Sequence, residues 1–478
     1  MASTINEPQA TNVRREFEDA PLGDRRLSER LPAIAERLRA APEQSFPDIM
    51  PTSAELTALY RFLNNGAVSA PVILEPHKQQ TAQRCAEAGS VLVLHDTTDL
   101  SFPGEVFRRG LGRLRGNGDQ GLLLHGALAV ANNGSQRPLG VVGAYTWVRE
   151  ELGNRHREDG RRKCGGDYHG EPGKESARWW NLVDDVENRL AGVEVIHVFD
   201  REGDMYPLMR TALDQEARFV TRMARDRVVL DADGERIGRV SEALVDVLAV
   251  LDLEVAVSAR AQKKPPKQTQ PPRRARTARL AVGATKMHLA PPQYVNDEPL
   301  EVSVVYVREA DVPVGADPID WVLITSEPID TPARIRSVVE AYRTRWLMEE
   351  FFKALKTGCA IEKRQLESYE SITAALAIFL PIAWQLLLLR NLARSEPQQP
   401  AELVLTATQV AVLRATVPQL ALPRRPCVAE ALRAVAYLGG HYIKREPGWQ
   451  VLGRGLVKLL DLEVGWLAHA AAERCDRT

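Results

Sequence analysis

The chain has 478 residues, of which 44% are hydrophobic and 26% charged, as in a soluble globular protein long enough for two or three domains. The formal net charge of −1 argues against a generally basic nucleic-acid coat, although local basic surfaces decide binding more than the average does. Five cysteines, far apart and without a CxxC pair, argue against a zinc site or a disulfide framework.

The N-terminal 75 residues are predicted to be helical. Between residues 22 and 42, apolar side chains recur with the helical period while arginines lie between them; the apolar positions are Leu27, Leu31, Ile34, Ala35 and Leu38. A second helix is predicted over residues 52–65, which begin with Thr-Ser and end with Asn-Asn. The first residues contain no apolar signal core, so we expect a cytoplasmic protein.

Strand-like apolar runs alternate with helical patterns after residue 90, which predicts an α/β fold. In "SVLVLHDTTDLSF" a buried-type strand, Val91–Leu94, is predicted to stop at a polar cluster that contains Asp96. In "VEVIHVFDREGDMY" a second strand is followed by Asp200. The carboxyl ends of strands are where α/β sheets place their sites, although an aspartate there is commonly a cap or a turn former.

Residues 225–325 are predicted to be mostly β, interrupted by a basic, proline-rich segment at residues 260–279. This segment is interpreted as a flexible arm for a phosphate backbone, in preference to a solvated disordered loop. After Glu367 the chain is predicted to be helical. Its apolar stretch at residues 372–389 contains Pro381 and Gln385, which favours a buried helix pair over a membrane span.

The segment "YRTRWLMEEFFKALKTG" places two adjacent glutamates among cations and aromatic residues. At about 3.6 residues per turn a single helix would align one stripe of side chains and turn Glu350 about 100° away from it; the stripe holds Tyr342, Arg345, Glu349, Lys353 and Lys356, with Trp346 beside it. Ordinary ion pairing along a surface helix is the other interpretation. The excess of cations favours contact with an anionic polymer, where one acid could bind a metal.

Hydrolysis of a phosphodiester needs an activated water, an in-line geometry and neutralised phosphate charge. Two magnesium ions about 3.5–4 Å apart supply all three. Hard cations prefer oxygen ligands, so three carboxylates form a minimal ligand set for such a pair.

Three segments, "HDTTDLSF", "VFDREGDMY" and "YRTRWLMEEFFKALKTG", resemble in order and spacing the three catalytic blocks of DDE transposases from cut-and-paste insertion sequences. The last segment resembles the Y-x2-R-x3-E-x6-K signature of the insertion-sequence-four family, at Tyr342, Arg345, Glu349 and Lys356, and Lys353 adds a further cation. The resemblance extends from Leu22 to Leu438, nearly the whole chain.

The resemblance implies an α/β fold with a ribonuclease H-like catalytic core, a β-rich insertion between Asp200 and Glu349, and helical flanking domains. The implied division is a DNA-end-binding domain at 1–75, a catalytic domain at 76–370 with the insertion at about 225–325, and a dimerisation domain at 371–478. It also implies a bacterial, nucleoid-associated protein.

The implied chemistry is metal-dependent. Asp96, Asp200 and Glu349 would bind two Mg²⁺, for which Mn²⁺ should substitute. Hydrolysis would nick one strand at the transposon end, and the freed 3′-OH would attack the opposite strand to give a hairpin. The hairpin would be reopened and joined to target DNA.

The implied partners are double-stranded DNA, as terminal repeats and target, and a second copy of the chain in a synaptic complex. Arg222 would contact a phosphate, and a flipped base would stack on Trp321, near Trp346. Arg30 would contact the terminal repeat. The backbone of the end and the flipped nucleotide would be held by Tyr342, Arg345, Lys353 and Lys356.

Two alternatives stay open at this stage. One is a catalytically inactive end-binding or inhibitor protein of the same fold, against which the intact triad argues. The other is a different two-metal DNA nuclease, against which the terminal domains and the Tyr-Arg-Glu-Lys stripe argue. A glycosidase with paired carboxylates is remote because it would not need the cationic stripe.

Overall fold

The computed structural model describes residues 12–104, 106–114, 119–149, 176–257, 259, 273–293, 295–441 and 447–475. The helices in these ranges are α1 (Arg25–Ala40), α2 (Phe46–Ile49), α3 (Ser53–Leu63), α4 (Ala70–Ala88), α5 (Ala177–Arg189), α6 (Tyr206–Asp214), α7 (Val240–Ala243), α8 (Pro332–Thr344), α9 (Trp346–Lys353), α10 (Tyr369–Ser395), α11 (Ala407–Thr416), α12 (Val428–Leu438) and α13 (Trp449–Cys475). The strands are β1 (Ser90–Ser101), β2 (Gly112–Arg113), β3 (Gln120–Ala131), β4 (Pro138–Trp147), β5 (Glu194–Phe199), β6 (Arg218–Arg222), β7 (Val228–Leu230), β8 (Arg236–Arg239), β9 (Leu251–Val257), β10 (Arg276–Leu289), β11 (Leu300–Glu309) and β12 (Asp320–Thr325).

The two predicted N-terminal helices are confirmed as α1 and α3. Asp24 caps α1 by accepting a hydrogen bond from the backbone N–H of Arg26, and the predicted apolar stripe of α1 is buried. Thr52 caps α3 in the same way, and Asn64 ends it. Because α4 runs through residue 75 and α10 through residue 370, the predicted domain boundaries both fall inside helices, and the three-domain division stays a prediction.

The described strands form one mixed, mostly antiparallel sheet of 12 strands, so the α/β prediction is confirmed. The order along the sheet is β2-β3-β1-β5-β6-β12-β11-β10-β7-β8, with β4 paired to β3 and β9 paired to β10. Strands β1, β5 and β6 are parallel to one another. The predicted β-rich region continues the same sheet, because β12 pairs with β6.

Strand β1 is longer than the sequence predicts. It does not stop at Leu94 but continues to Ser101, because β3 supplies an antiparallel partner along its whole length. Asp96 therefore lies within the strand, opposite Gly126. The prediction for Asp200 is confirmed: β5 ends at Phe199, and Asp200 caps a 3₁₀ turn at Arg201–Gly203 by accepting from the N–H of Glu202.

Helices cover both faces of the sheet around β1 and β5. Side chains alternate between the faces along a strand. Leu92, Leu94, Ile196 and Val198 pack in one cluster with α9 and α10, whereas the opposite face packs against α5. By the same alternation, Asp96 and Asp200 belong to the face that α9 and α10 cover.

Helix α10 corrects the prediction of a helix pair. It is a single helix of 27 residues with Pro381 inside it. By length and composition alone it could cross a membrane, yet its apolar stretch is entirely buried inside the protein. Strands of the sheet, other helices and the N-terminal segment surround this stretch. A helix that is buried on every side is expected to be apolar on every side.

The basic segment is only partly described. Residues 260–272 lie outside the described ranges, so the arm prediction is untested there. Arg276 and Arg279 lie in β10, where Arg276 makes a bidentate ion pair with Glu309, at 2.9 and 2.8 Å. For these two residues the arm prediction is wrong, because the strand pairs with β9 and β11.

A buried ionic network joins the N-terminal segment to the core. Glu16 is 3% exposed, accepts from Arg84 at 2.9 Å, and lies 2.5 Å from Nδ1 of His77. Arg84 also donates to the carbonyl of Leu139 in β4. Burial alone would raise the pKa of Glu16, but the charges and hydrogen bonds of His77 and Arg84 outweigh it and lower this pKa to about 2.

Glu16→Gln is expected to remove a pH-dependent part of the stability. Because the pKa of Glu16 is depressed in the folded protein, its contribution is present above its usual value of 4.5 and is lost as the pH falls towards about 2. Wild type should exceed the variant by about 3 kcal/mol at neutral pH and by little near pH 2. Denaturant unfolding across this range measures the difference. Glu18→Gln, at an exposed ion pair with Arg14, serves as the control, and a pH-independent difference for Glu16→Gln would contradict the assignment.

Candidate catalytic site

Two aspartates meet where β1 and β5 leave their parallel pairing. The last paired residues are Leu94 and Val198, and Asp96 and Asp200 are each the second residue after that pair. The side chain of Asp96 is 14% exposed. Burial and the negative charge of Asp200 raise the pKa of Asp96 to about 7, although Arg345 opposes the shift. The two carboxylates are therefore close enough to repel each other.

Helix α9 brings the third acid to this face. Met348 packs against Gly126, where an added Cβ would lie 2.8 Å from Cε of Met348. Gly126 is the residue opposite Asp96, so the lack of a side chain there lets α9 approach the sheet beside that carboxylate. Glu349 follows Met348 in the helix and has a side chain that is 32% exposed.

Arg345 joins two of the three acids. Its Nη1 lies 3.4 Å from Oδ2 of Asp96, and its Nη2 donates to Oε1 of Glu349 at 2.8 Å. The guanidinium is 17% exposed, and its pKa stays raised although burial opposes this, because Tyr342, Glu349 and Asp96 favour its charge. The structure thus brings Asp96, Asp200, Arg345 and Glu349 together.

The predicted stripe lies on two consecutive helices and a π turn instead of one regular helix. Arg345 ends α8 and begins α9 in helical conformation, and Ala354–Gly358 forms the π turn. Lys353 departs from the predicted face: its Nζ pairs with Glu350 at 3.2 Å and lies 4.7 Å from the ring centroid of Trp346. The buried charge of Glu350 attracts it.

The twin glutamates have different surroundings. Glu350 is 7% exposed and faces α10, where it pairs with Arg390 at 3.0 Å and lies 3.9 Å from Arg394. Arg390 in turn lies over the ring of Trp449, the first residue of α13. Helical phase separates Glu350 from Glu349, as the sequence predicts, and Glu350 links the site to the C-terminal helices.

A second cluster lies on β6, β12 and α8. The rings of Trp321 and the buried Tyr342 meet edge-on, with centroids 5.6 Å apart. Arg222 hydrogen-bonds the carbonyl of Asp320 at 3.0 Å. Burial lowers the pKa of Arg222; Tyr342 opposes this, while the positive charge of Arg345 adds to it. Arg222, Tyr342 and Arg345 are therefore electrostatically coupled, and the cluster adjoins the carboxylates.

The other predicted DNA contacts lie apart from this cluster. Trp346 is 53% exposed at the start of α9. Lys356 lies in the π turn, 4.0 Å from Glu362. Arg30 is exposed on α1 and contacts none of the three acids.

The donor set can be tested against the divalent cations that such a site implies. Oxygen donors suit hard cations, and the repulsion that raises the pKa of Asp96 is what a cation between Asp96 and Asp200 would relieve. Within the described part of the chain, no three Asp, Glu, His or Cys side chains are grouped closely enough to hold an ion as they stand. Glu349 is paired with Arg345, so it would have to leave Arg345 to join the two aspartates around a cation.

Sequence reasoning missed the layer beneath the aspartates. His95, His125 and His197 are fully buried on neighbouring strands, and the rings of His95 and His197 are joined by a 2.9 Å hydrogen bond. Thr97 connects this layer to the site, since its hydroxyl bonds His125 at 3.0 Å and its N–H donates to Asp96 at 2.7 Å. No spacing in the sequence shows these contacts, because they cross between strands.

Two family models match the chain. A model described as "Transposase DNA-binding" matches residues 10–68, which include α1 and α3. A model described as "Transposase DDE domain" matches residues 172–383, which include Asp200, Arg345 and Glu349; Asp96 precedes the matched range.

Asp96→Asn is expected to stabilise the metal-free protein at alkaline pH. The raised pKa of Asp96 means that its charge destabilises the folded state above about pH 7, and that this cost disappears as the pH falls towards the usual value of 3.8. The variant should gain about 1 to 4 kcal/mol at pH 8 in EDTA and little at pH 4. Unfolding curves measure this, with the exposed Asp246→Asn as control. A variant that is less stable than wild type at pH 8 would contradict the inferred repulsion between Asp96 and Asp200.

Glu350→Gln should destabilise the fold far more than the neighbouring Glu349→Gln. The first change removes a buried carboxylate and leaves the partly buried Arg390 facing a neutral amide, which costs about 3 kcal/mol. The second change affects a partly exposed pair and costs less than about 1 kcal/mol. Urea unfolding of the two variants measures the contrast. Equal losses would show that Glu350 is not the structural member of the pair.

Proposed function

This chain is a DDE transposase, a metal-dependent DNA nuclease and strand transferase with a transposase DNA-binding domain, and we propose that it performs cut-and-paste transposition through a hairpin intermediate. The observation that carries the proposal is the meeting of Asp96 and Asp200 under α9, with Glu349 held next to them by Arg345. We propose these three acids as the catalytic and metal-binding residues, with Mg²⁺ as the metal and Mn²⁺ as a substitute.

Each residue of the site would have a distinct role in the reaction. Two bound Mg²⁺ would activate water and neutralise charge on the reacting phosphate. Asp96 and Asp200 would hold them on the rigid sheet, and Glu349 would complete the set from α9. Arg345 keeps Glu349 in place in the observed arrangement and, once Glu349 turns towards the metals, is free to contact a DNA phosphate.

The sheet supports a ribonuclease H-like core. Five strands follow each other in space as β4-β3-β1-β5-β6, in which β1, β5 and β6 are parallel and β3 is antiparallel. The first two acids then come from β1 and from the end of the neighbouring strand β5. We propose that the strands from β7 to β12 are the β-rich insertion of this core, between Asp200 and Glu349.

The aromatic cluster supports the binding of a flipped nucleotide. Trp321 is partly exposed beside Tyr342, so a base could stack on it, while Arg222 adds a cation for the adjoining phosphate. Trp346, Lys353 and Lys356 would contact the same DNA end from α9 and the π turn. Arg30 would contact the terminal repeat through the DNA-binding domain.

The C-terminal helix supports a homodimer. Four large apolar side chains of α13 are exposed, and such a face is typical of a helix that packs against a partner; they are Leu462, Val464, Trp466 and Leu467. A second copy of the chain in a synaptic complex would cover them. DNA-end binding, catalysis and dimerisation would then be carried by residues 1–75, 76–370 and 371–478, respectively.

We place the chain, on its Tyr342-Arg345-Glu349-Lys356 signature, in the insertion-sequence-four family, with a likeness to the transposase of the bacterial transposon Five. It would act on terminal repeats and target DNA in the bacterial cytoplasm, associated with the nucleoid.

Glu349→Ala should leave binding to the element's end intact and abolish Mg²⁺-dependent cleavage, because it removes one metal ligand and no recognition surface. Glu350→Gln, compared at equal folded fraction, should cleave measurably. The assay incubates the protein with a DNA fragment carrying the element's own ends and Mg²⁺, and scores hairpin-ended products on a denaturing gel.

The products distinguish the alternatives. Nicks without hairpins would assign the chain to another two-metal DNA nuclease. Binding of the ends without any cleavage by the wild type would assign it to the inactive end-binding or inhibitor proteins. Cleavage by Glu349→Ala but not by Glu350→Gln would contradict the assignment of the third ligand.

A further inference from the structure

A polar cavity of about 470 Å³ opens beside the aspartates. Its walls are Thr97, Thr98, Asp99, Leu123, Arg149, Arg178, Glu202 and Lys356. Resting on the proposed function, we propose that this cavity binds one nucleotide of the transposon end, with Arg178 and Arg149 contacting the phosphate that adjoins the cleaved bond. Neither arginine stands out in the sequence as a DNA contact.

The cavity adjoins the catalytic acids along the chain. Thr97 follows Asp96 and donates its N–H to that carboxylate, and Glu202 donates its N–H to the carboxylate of Asp200. Lys356 approaches from the π turn after α9. Each segment that carries a proposed metal ligand thus also lines the cavity, so a strand whose phosphate lies between the acids would enter it with the next nucleotide.

Arg178 is held in position before any DNA arrives. Its guanidinium lies over the ring of Trp147, 4.3 Å from the centroid, and 5.9 Å from that of Trp179. Its Nη2 is 4.0 Å from Glu202, and the side chain is only 14% exposed. A planar guanidinium fixed by stacking loses little freedom when it binds a phosphate, which favours a specific contact over a general attraction.

The charge and polarity of the walls favour a nucleotide over an apolar ligand. Three wall residues are cationic, two are acidic, and among the residues that line the cavity Leu123 alone is apolar. The volume falls in the range of small-ligand sites, about 300–1,000 Å³, whereas the walls lack the mostly apolar lining usual there. Cations with hydroxyls and one apolar wall suit a phosphate, a sugar and a base.

The test measures binding in EDTA, so that cleavage is not needed. The probe is a duplex with the terminal repeat that flanks this gene, in which the phosphates near the cleaved bond are replaced one at a time by neutral methylphosphonates. At one position the wild-type Kd should rise about tenfold, the loss expected for one charge-assisted contact. Arg178→Gln should bind the natural duplex about tenfold more weakly and lose nothing further at that position.

Three variants make the result specific. Arg178→Lys keeps a charge and should recover part of the loss. Arg149→Gln tests the second arginine and gives an independent result if Arg178→Gln misfolds. Thermal melting shows whether each variant is folded. Arg236→Gln, at an exposed position on the far edge strand β8, should keep the wild-type pattern.

Contrary outcomes are distinct. If the methylphosphonates weaken wild type, Arg178→Gln and Arg149→Gln equally at every position, the cavity does not hold an end phosphate. A wild type that does not prefer the repeat to a scrambled duplex would overturn the proposed function itself, and this inference with it.

Discussion

The site depends on the parallel pairing of β1 with β5. Once Leu94 and Val198 are paired, Asp96 in β1 and Asp200 just beyond the end of β5 are brought close together, although both side chains are acidic. Their repulsion, together with burial, raises the pKa of Asp96 to about 7. The strands keep this arrangement because their apolar residues are buried on both faces, so the core supplies the free energy that the carboxylates cost.

Arg345 offsets part of the repulsion between the acids. It brings a partly buried positive charge between Asp96 and Glu349 and so compensates part of the negative charge without a metal. A divalent cation would compete with this guanidinium for the same oxygens. Glu349 lies on a helix, whereas Asp96 lies within β1 and Asp200 caps the 3₁₀ turn that follows β5. The helix side chain is therefore the one that can change partners while the sheet stays fixed.

Two connections extend from the site into the rest of the chain. Because β6 pairs with β12, Arg222 and Trp321 lie on neighbouring strands of the continuous sheet, and Tyr342 joins them to α8, which leads into α9. In the other direction, Glu350 pairs with Arg390, which lies over Trp449 at the start of α13. The acid next to the proposed third ligand is therefore connected to the C-terminal helix through Arg390.

The sequence by itself determined the elements whose cause is local: the caps at Asp24 and Thr52, the apolar stripe of α1, the end of β5 before Asp200 and the helical separation of Glu349 from Glu350. Only the tertiary structure decided what depends on partners distant in the chain. β1 continues past Leu94 because β3 pairs with it, and α10 is one helix because its apolar stretch is buried on all sides. Lys353 turns to Glu350 because that charge is buried. Periodicity reports local geometry, whereas these outcomes follow from burial and pairing between segments that no spacing encodes.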